Sequence, residues 1–423
     1  MCGYFFSNDP GLKHNELSVE NIKRRGPENY NVIQNENGIF IHSLLHTIGE
    51  KTSQPISNNY GTLLYNGCVY NSPGTNDSKW ISDSLDDNKD NNIEVIKSLR
   101  GEYSLVYVTS DKIYAAIDQW NTRSLFMYVS DDNKFVSFSV LPDTLRQQYG
   151  SAIPLPANKI VIVDRATCTL EIIENYKWNL DQKVNNYDLV FENFEKAVIK
   201  RHDQNSSFAF SSGHDAGVIG CAYKKLKIDV DAITFGLHED YDVLKSRIKI
   251  HQGKLLKEVE ASAEDKKNIM DIQSHEYIND TLTLDRYCHM GKLLEDKNKK
   301  IIILGEGGDD IFSDYGIQGR KLRARSKFGG YFPNDLSLVW PWHNNYNILE
   351  ALCTRLDFIF GYYGKEVRLP MLDVDLVQSW LNTTSSLKNS GYKDWMCKYM
   401  QENGYPISKM KVGMGGRPVA LHG

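Results

Sequence analysis

Between Gly38 and about Val163 short apolar runs alternate with clusters of Asn, Asp, Gly and Ser. GIFIHSLLHTIG, YGTLLYNGCVY, GEYSLVYVTSDKIYAAID, SLFMYVSDDNKFVSFS and NKIVIVDRATCTLEII are rich in β-branched and aromatic residues, and turn formers interrupt them. SDDNK and TSDK read as hairpin turns. The pattern predicts a mainly antiparallel sheet region. ENYKWNLDQKVNNYD, residues 174–188, is polar and aperiodic and reads as a linker. LVFENFEKAVIKRH then places apolar residues at helical spacing. After it the texture changes. SSFAFSS is a short apolar strand, VIGCAYKKL a helix and VDAITFG a second strand; a charged helical stretch follows, then the strand of KKIIILGEGGDD. Strand, helix and strand at this spacing predict a parallel sheet with helices on its faces. From about Lys321 onward the chain reads as helical and aromatic-rich, and it contains no internal repeat.

A chain of 423 residues is too long for one core. The change of texture divides it into 2–173, a linker over 174–188, and 189–423. The fold class expected is α/β and α+β, an antiparallel sandwich followed by a parallel-sheet domain with a helical C-terminal part. The net charge of −5 and the lack of a strongly basic block argue against a nucleic-acid partner. The seven cysteines are scattered, with no CxxC pair, which argues against a zinc site or disulfide framework and for a reducing, cytoplasmic setting. No run approaches a membrane span, so no membrane partner is expected.

Three stretches carry chemistry. The chain opens MCGYF. A Met-Cys pair is ordinarily chance. If Met1 is removed, however, Cys2 carries both a thiol and a free α-amino group. That amine, with a pKa of roughly 7.7–8.0, can take the thiol proton. In FAFSSGHDAGVIG, Ser211, Ser212 and Gly213 form a small-residue turn between strand and helix, where backbone N–H groups favour an anion. Asp215 follows, placed to hold Mg²⁺ beside phosphates. In ILGEGGDDIF a second strand ends in a turn containing Gly305, Glu306, Gly307, Asp309 and Asp310. Parallel sheets bind ligands outside the carboxyl ends of their strands, so the two turns can face one nucleotide. Lys393, in NSGYKDWMCKYM, starts a helix and could neutralise a leaving pyrophosphate. The bland readings are an ordinary turn, a solvated acidic loop and a surface lysine.

The combination resembles the glutamine-dependent asparagine synthetase family. MCGYF is similar to its Met-Cys-Gly start, KRRGPENYN to Arg-Gly-Pro-Asp/Glu, and YNGCVYN to Asn-Gly-Glu-Ile-Tyr-Asn. LRGEYSLVYV and DQWNTRSLFM resemble its Gly-x-Phe-Ala and Asp-Arg-x-Gly-x-x-Pro-Leu-Tyr segments. SSGHDA stands for Ser-Gly-Gly-x-Asp-Ser, GEGGDDIFSDY for Gly-Glu-Gly-x-Asp-Glu-x-Phe-x-x-Tyr, and EVRLPMLD for Glu-Val-Arg-x-Pro-Phe-Leu-Asp. The resemblance implies a class II glutamine amidotransferase domain over 2–173, of the N-terminal-nucleophile type. There Cys2 would free ammonia from glutamine through a thioester. Asn66 and the Gly67 N–H would form the oxyanion hole, and Asp83 would hold the substrate's amino end. Residues 189–423 would be an ATP-pyrophosphatase domain that adenylates a carboxylate, aspartate by default. Ammonia carried internally would then displace AMP. Ser211, Ser212, Gly213, Asp215, Gly305 and Gly307 would contact ATP, Asp215 and Asp309 would hold Mg²⁺, and Glu306 and Lys393 would complete the site. A homodimer is implied by the resemblance alone.

The sequence also departs from that family. Leu44 stands where an arginine of the family grips the glutamine carboxylate, His46 could substitute only if the local backbone differs, and Cys68 replaces a glutamate. Glutamine is therefore expected to be a poor donor, or the donor a different amide. Ser212 replaces a glycine and Ala216 a serine, so weaker ATP binding is expected at a retained site. Two other readings stay open: another acceptor, in specialised amidation or ring closure, and a non-catalytic relative.

Overall fold

The computed structural model describes residues 1–236, 239–255, 262–273, 281–296, 299–313, 331–341, 348–411 and 419–420. The end of GEGGDDIFSDY, most of SKMKVGMGGRP and the stretch 321–330 lie outside the described residues. The chain divides into two compact units. One comprises Met1–Lys177, Ala261–Lys300 and Glu350–Glu366, the other Trp178–Glu260, Ile301–Leu349 and Val367–Gly423.

The first unit is built on two six-stranded antiparallel sheets. In one, Gly3–Ser7 lies between Val136–Ser139 and Gly38–Leu44. In the other, Gly61–Val69 pairs with Gly101–Thr109. The hairpins predicted at SDDNK and TSDK join Phe126–Val129 to Val136–Ser139 and Gly101–Thr109 to Lys112–Ile117. Besides the two-residue strands Ile56–Ser57 and Ile153–Pro154, two longer strands escape the hydropathy pattern. Gly3–Ser7 is buried throughout and so shows no alternation, as a strand covered on both faces must. Asn29–Asn35 is half-exposed and rich in Asn and Gln, and pairs at the sheet edge with Gly38–Leu44.

Alternation along Gly61–Val69 sorts its side chains. Leu63, Tyr65 and Val69 join a core with Ile81 and Leu85 of the helix Asp77–Asp87 and Ile96 of Asn92–Ser98. Asn66 and Cys68 consequently share the opposite face. The helix Asp77–Asp87 is capped by Asn76, whose side chain accepts the Lys79 amide at 3.0 Å.

The second unit carries a five-stranded sheet ordered Lys254–Leu255, Asp231–Thr234, Ser206–Ala209, Ile301–Ile303, Glu366–Arg368. The pairs made by Ser206–Ala209 are parallel, as the strand-helix-strand spacing predicts. The helix His214–Leu226 follows the central strand, and Asp188–Arg201 precedes it. Val374–Leu381, Ser385–Lys388 and Asp394–Glu402 supply the helical C-terminal part. Among the described residues no helix is long and apolar enough to cross a membrane.

Candidate active site

Cys2 immediately precedes the strand Gly3–Ser7. Gly3 pairs with Ser43, which brings Cys2 to the end of the strand carrying Leu44. Its backbone nitrogen donates to Asn66 Oδ1 at 2.8 Å, and the thiol lies 3.8 Å from the Leu45 carbonyl. Asn66 is buried, and its Nδ2 has no hydrogen-bond partner. A buried amide donor costs free energy unless it has an acceptor, so Asn66 offers an unspent N–H on the amide that holds the Cys2 backbone nitrogen. Gly67 has φ +148°, and a Cβ there would lie 2.1 Å from the Glu102 carbonyl oxygen, so only glycine fits. Burial pushes the Cys2 thiol above its ordinary range, while the neighbouring amino terminus pulls it down. A base is therefore needed to make the thiolate.

Met1 occupies this region too. It is buried, and its amino group donates to the Lys365 carbonyl at 2.9 Å. Burial pushes that amine down to about 5. The Arg25 guanidinium, to which the sequence reading gave no role, anchors the same segment. Its Nε donates to the Cys2 carbonyl at 3.0 Å, and its Nη2 to Asp357 Oδ1 at 2.8 Å. KRR offers three basic residues. Only the helical spacing of Ile22 and Arg25, both buried in Glu20–Arg25, marks which one turns inward.

A cleft opens beside Cys2, lined by Leu44, Tyr65, Gly67, Cys68 and Asp77 among others. Asp83 is not among the described lining residues. It sits on the exposed face of Asp77–Asp87, paired with Lys79 at 2.9 Å. The helix buries Ser78, Ile81, Ser82 and Leu85, which turns Asp83 outward. Asp77, six residues earlier, lines the cleft instead. Its Oδ2 accepts from Tyr65 Oη at 2.6 Å and the Val69 amide at 2.9 Å.

In the second unit, Lys393 contacts Asp215 and lies 2.6 Å from Asp309 Oδ1. Tyr392 Oη donates to the same Asp309 oxygen at 2.8 Å. The turn after Ile301–Ile303 closes around Asp215: a Cβ at Gly308 would fall 2.3 Å from Asp215 Oδ1. Both strand-end turns therefore converge on one ammonium. Glu306 lies in that same turn, half-buried, between Gly305 and Gly307. Burial disfavours the Lys393 cation, but Asp215 and Asp309 more than reverse this and hold its pKa above the usual value.

The Ser211–Gly213 turn is held by Arg247, which has no motif to announce it. Its buried guanidinium donates to the Ser211 carbonyl and, at 2.8 Å, to the Gly213 carbonyl. Ser212 donates both its amide, at 2.7 Å, and its hydroxyl to the Glu239 carboxylate. A carboxylate thus sits on an amide donor that the sequence assigned to a phosphate.

Two carboxylates fit the manner in which Mg²⁺ is bound, with the remaining ligands from water and phosphate. Among the described residues no group of three or more His, Cys, Asp or Glu side chains forms a metal site by itself.

No family model matches the sequence, and no curated protein matches it. Solved structures resemble parts of the fold, three of them as follows. The glutamine phosphoribosylpyrophosphate (PRPP) amidotransferase from B. subtilis, complexed with ADP and GMP, is 12% identical over 49% of this chain and 61% of its own, with TM-score 0.34. A structure described as the allosteric regulatory enzyme of purine biosynthesis is 12% identical over 50% of this chain and 60% of its own, with TM-score 0.34. A glutamine aminotransferase class-II domain protein from Silicibacter pomeroyi is 13% identical over 32% of this chain and 74% of its own, with TM-score 0.23. The chain spans about three fifths of the length of the first two. Similarity this low leaves the chemistry to be read from this chain's own residues.

Proposed function

We propose that the protein is an ATP-dependent amidotransferase. An amide donor (glutamine in the family the sequence resembles) is hydrolysed at Cys2, and the ammonia converts an adenylated carboxylate, aspartate by default, to an amide. The observation that carries this reading is the 2.8 Å contact of the Cys2 nitrogen with Asn66 Oδ1, beside an Asn66 N–H that has no partner. With Met1 removed, that nitrogen becomes an α-amine held in place by Asn66. It takes the thiol proton, the thiolate attacks the amide carbon, and the oxyanion faces the Asn66 Nδ2–H. The amine then returns the proton to the departing ammonia, and water hydrolyses the thioester.

In the second unit the converging Asp215, Asp309 and Lys393 support nucleotide chemistry. Asp215 and Asp309 would hold Mg²⁺, which when bound neutralises phosphate charge. Lys393, already cationic between them, would hold the pyrophosphate as it leaves. The test is AMP release by purified protein with Mg·ATP, aspartate and ammonium chloride. AMP that requires aspartate is the expected result. If no carboxylate in a panel yields AMP, the synthetase half of the proposal is wrong.

A non-catalytic reading draws on Glu239, whose carboxylate occupies the Ser212 amide. Glu239→Gln decides between the two. It keeps an acceptor there and removes the negative charge that phosphate must displace. A hydrogen bond to a charged group is worth about 1.5–3 kcal/mol, so Mg·ATP should bind at least ~10-fold more tightly by calorimetry. A variant that binds no nucleotide would favour the non-catalytic relative.

A further inference from the structure

We infer that the Cys2 cleft takes a primary amide whose far end is a cationic amine and which carries no carboxylate. This rests on the proposed role of Cys2 and names its substrate class. Among the described residues lining the cleft there is no lysine or arginine, whereas Glu50 and Asp77 contribute two carboxylates.

Four cations among the described residues have other partners. Lys300 is held by Glu28 and, at 2.7 Å, by the His46 carbonyl. Lys51 donates to the Glu28 carbonyl at 3.3 Å, and Lys79 pairs with Asp83. Arg25 is buried between the Cys2 carbonyl and Asp357. A substrate carboxylate entering here would lose water against Leu44 and Ile48 and meet, among the described lining residues, no lysine or arginine but only the His46 imidazole, whose Nε2 is already directed to the Gly49 carbonyl at 2.8 Å, an unfavourable exchange. A substrate ammonium meets the opposite field. Asp77 has both oxygens engaged, by Tyr65, Val69 and the Ser78 amide at 2.8 Å. Its carboxylate therefore contributes field rather than contact. Glu50, exposed at the mouth, is the group placed to pair with the amine.

The chemistry at the amide end is unchanged. The thiolate forms a C–S bond, the C–N bond breaks, ammonia leaves with the proton, and water cleaves the thioester to the acid.

The test compares L-glutamine, 4-aminobutanamide (glutamine without its carboxylate) and 4-carbamoylbutanoate (glutamine without its amine). Ammonia release is measured with the full chain. We expect kcat/KM for 4-aminobutanamide to exceed that for glutamine by about tenfold or more, the scale of one hydrogen bond to a charged group. The carboxylate-only amide should be the poorest. Leu44→Arg should raise glutamine turnover relative to 4-aminobutanamide. Glu50→Gln should raise KM for 4-aminobutanamide more than it lowers kcat.

Protection of Cys2 from iodoacetamide, read by peptide mass, ranks the three compounds without turnover. Protection by glutamine at lower concentration than by 4-aminobutanamide overturns the inference, whether or not any amide is hydrolysed. Hydrolysis of none of them counts against Cys2 as nucleophile, and the protection order still decides the substrate class.

Discussion

Replacing Cys2 by alanine is expected to lower amide hydrolysis by at least ~10⁴-fold, the scale on which removing a covalent nucleophile acts. AMP formation fed by ammonium chloride is the control, because it does not pass through the thiol. A variant that loses both has lost its fold. The expectation depends on the amino terminus. While Met1 is present, the Cys2 nitrogen is a peptide N–H that donates to Asn66 and cannot act as a base. The Met1 amine, directed to the Lys365 carbonyl, is pushed down to about 5 by burial, which makes it too weak a base to take the thiol proton. Burial also raises the Cys2 thiol, so a Met1-bearing chain has neither a thiolate nor the terminal base to make one. Intact mass should therefore show loss of Met1 in every preparation that hydrolyses amides. Preparations that keep Met1 should be silent with amides and active with ammonium. Amide hydrolysis at full rate by a Met1-bearing chain would require a different base.

How far these sites could be read in advance varies with the residue. Asn66 and Gly67 are implied by the resemblance of YNGCVYN to the family segment alone, and the two-residue period of that strand adds that Asn66 lies on the face away from Leu63 and Tyr65. The meeting of Asp215 and Asp309 follows from two strands of a parallel sheet ending side by side, whereas Lys393 lies on neither strand and has no such signal. Asp83 rests on the resemblance alone, an assignment into which helical phase does not enter. The spacing of Ser78, Ile81, Ser82 and Leu85 already turns it to solvent. Arg247 and Glu239 could not have been found. Each acts through a contact distant in the chain, Arg247 with backbone carbonyls and Glu239 with Ser212, and neither lies in a recurring pattern. Gly3–Ser7 was hidden for the opposite reason, since a strand buried on both faces has no polar phase to betray it.

Lys393→Met is expected to abolish AMP formation with every nitrogen donor and to destabilise the protein by about 3–5 kcal/mol, the usual result of breaking a buried ion pair from one side. Lys393 is 3% exposed and adopts φ +50°, a left-handed conformation that costs a non-glycine residue of order 1 kcal/mol or more. The fold holds it there to place the ammonium between Asp215 and Asp309. The pH dependence of stability separates this role from simple packing. The Lys393 pKa is raised on folding, so its stabilisation is complete below the unfolded value near 10.4 and is lost only as pH rises through the higher folded value. Its contribution is therefore constant between pH 5 and 8. In the methionine variant two carboxylates face each other without a counter-charge, and one of them must take up a proton more readily than usual. The deficit in urea midpoint should be largest at pH 8 and shrink towards pH 5, where that proton is available. A deficit independent of pH would mean that the carboxylates do not repel each other, and that Lys393 acts there as a space-filling side chain.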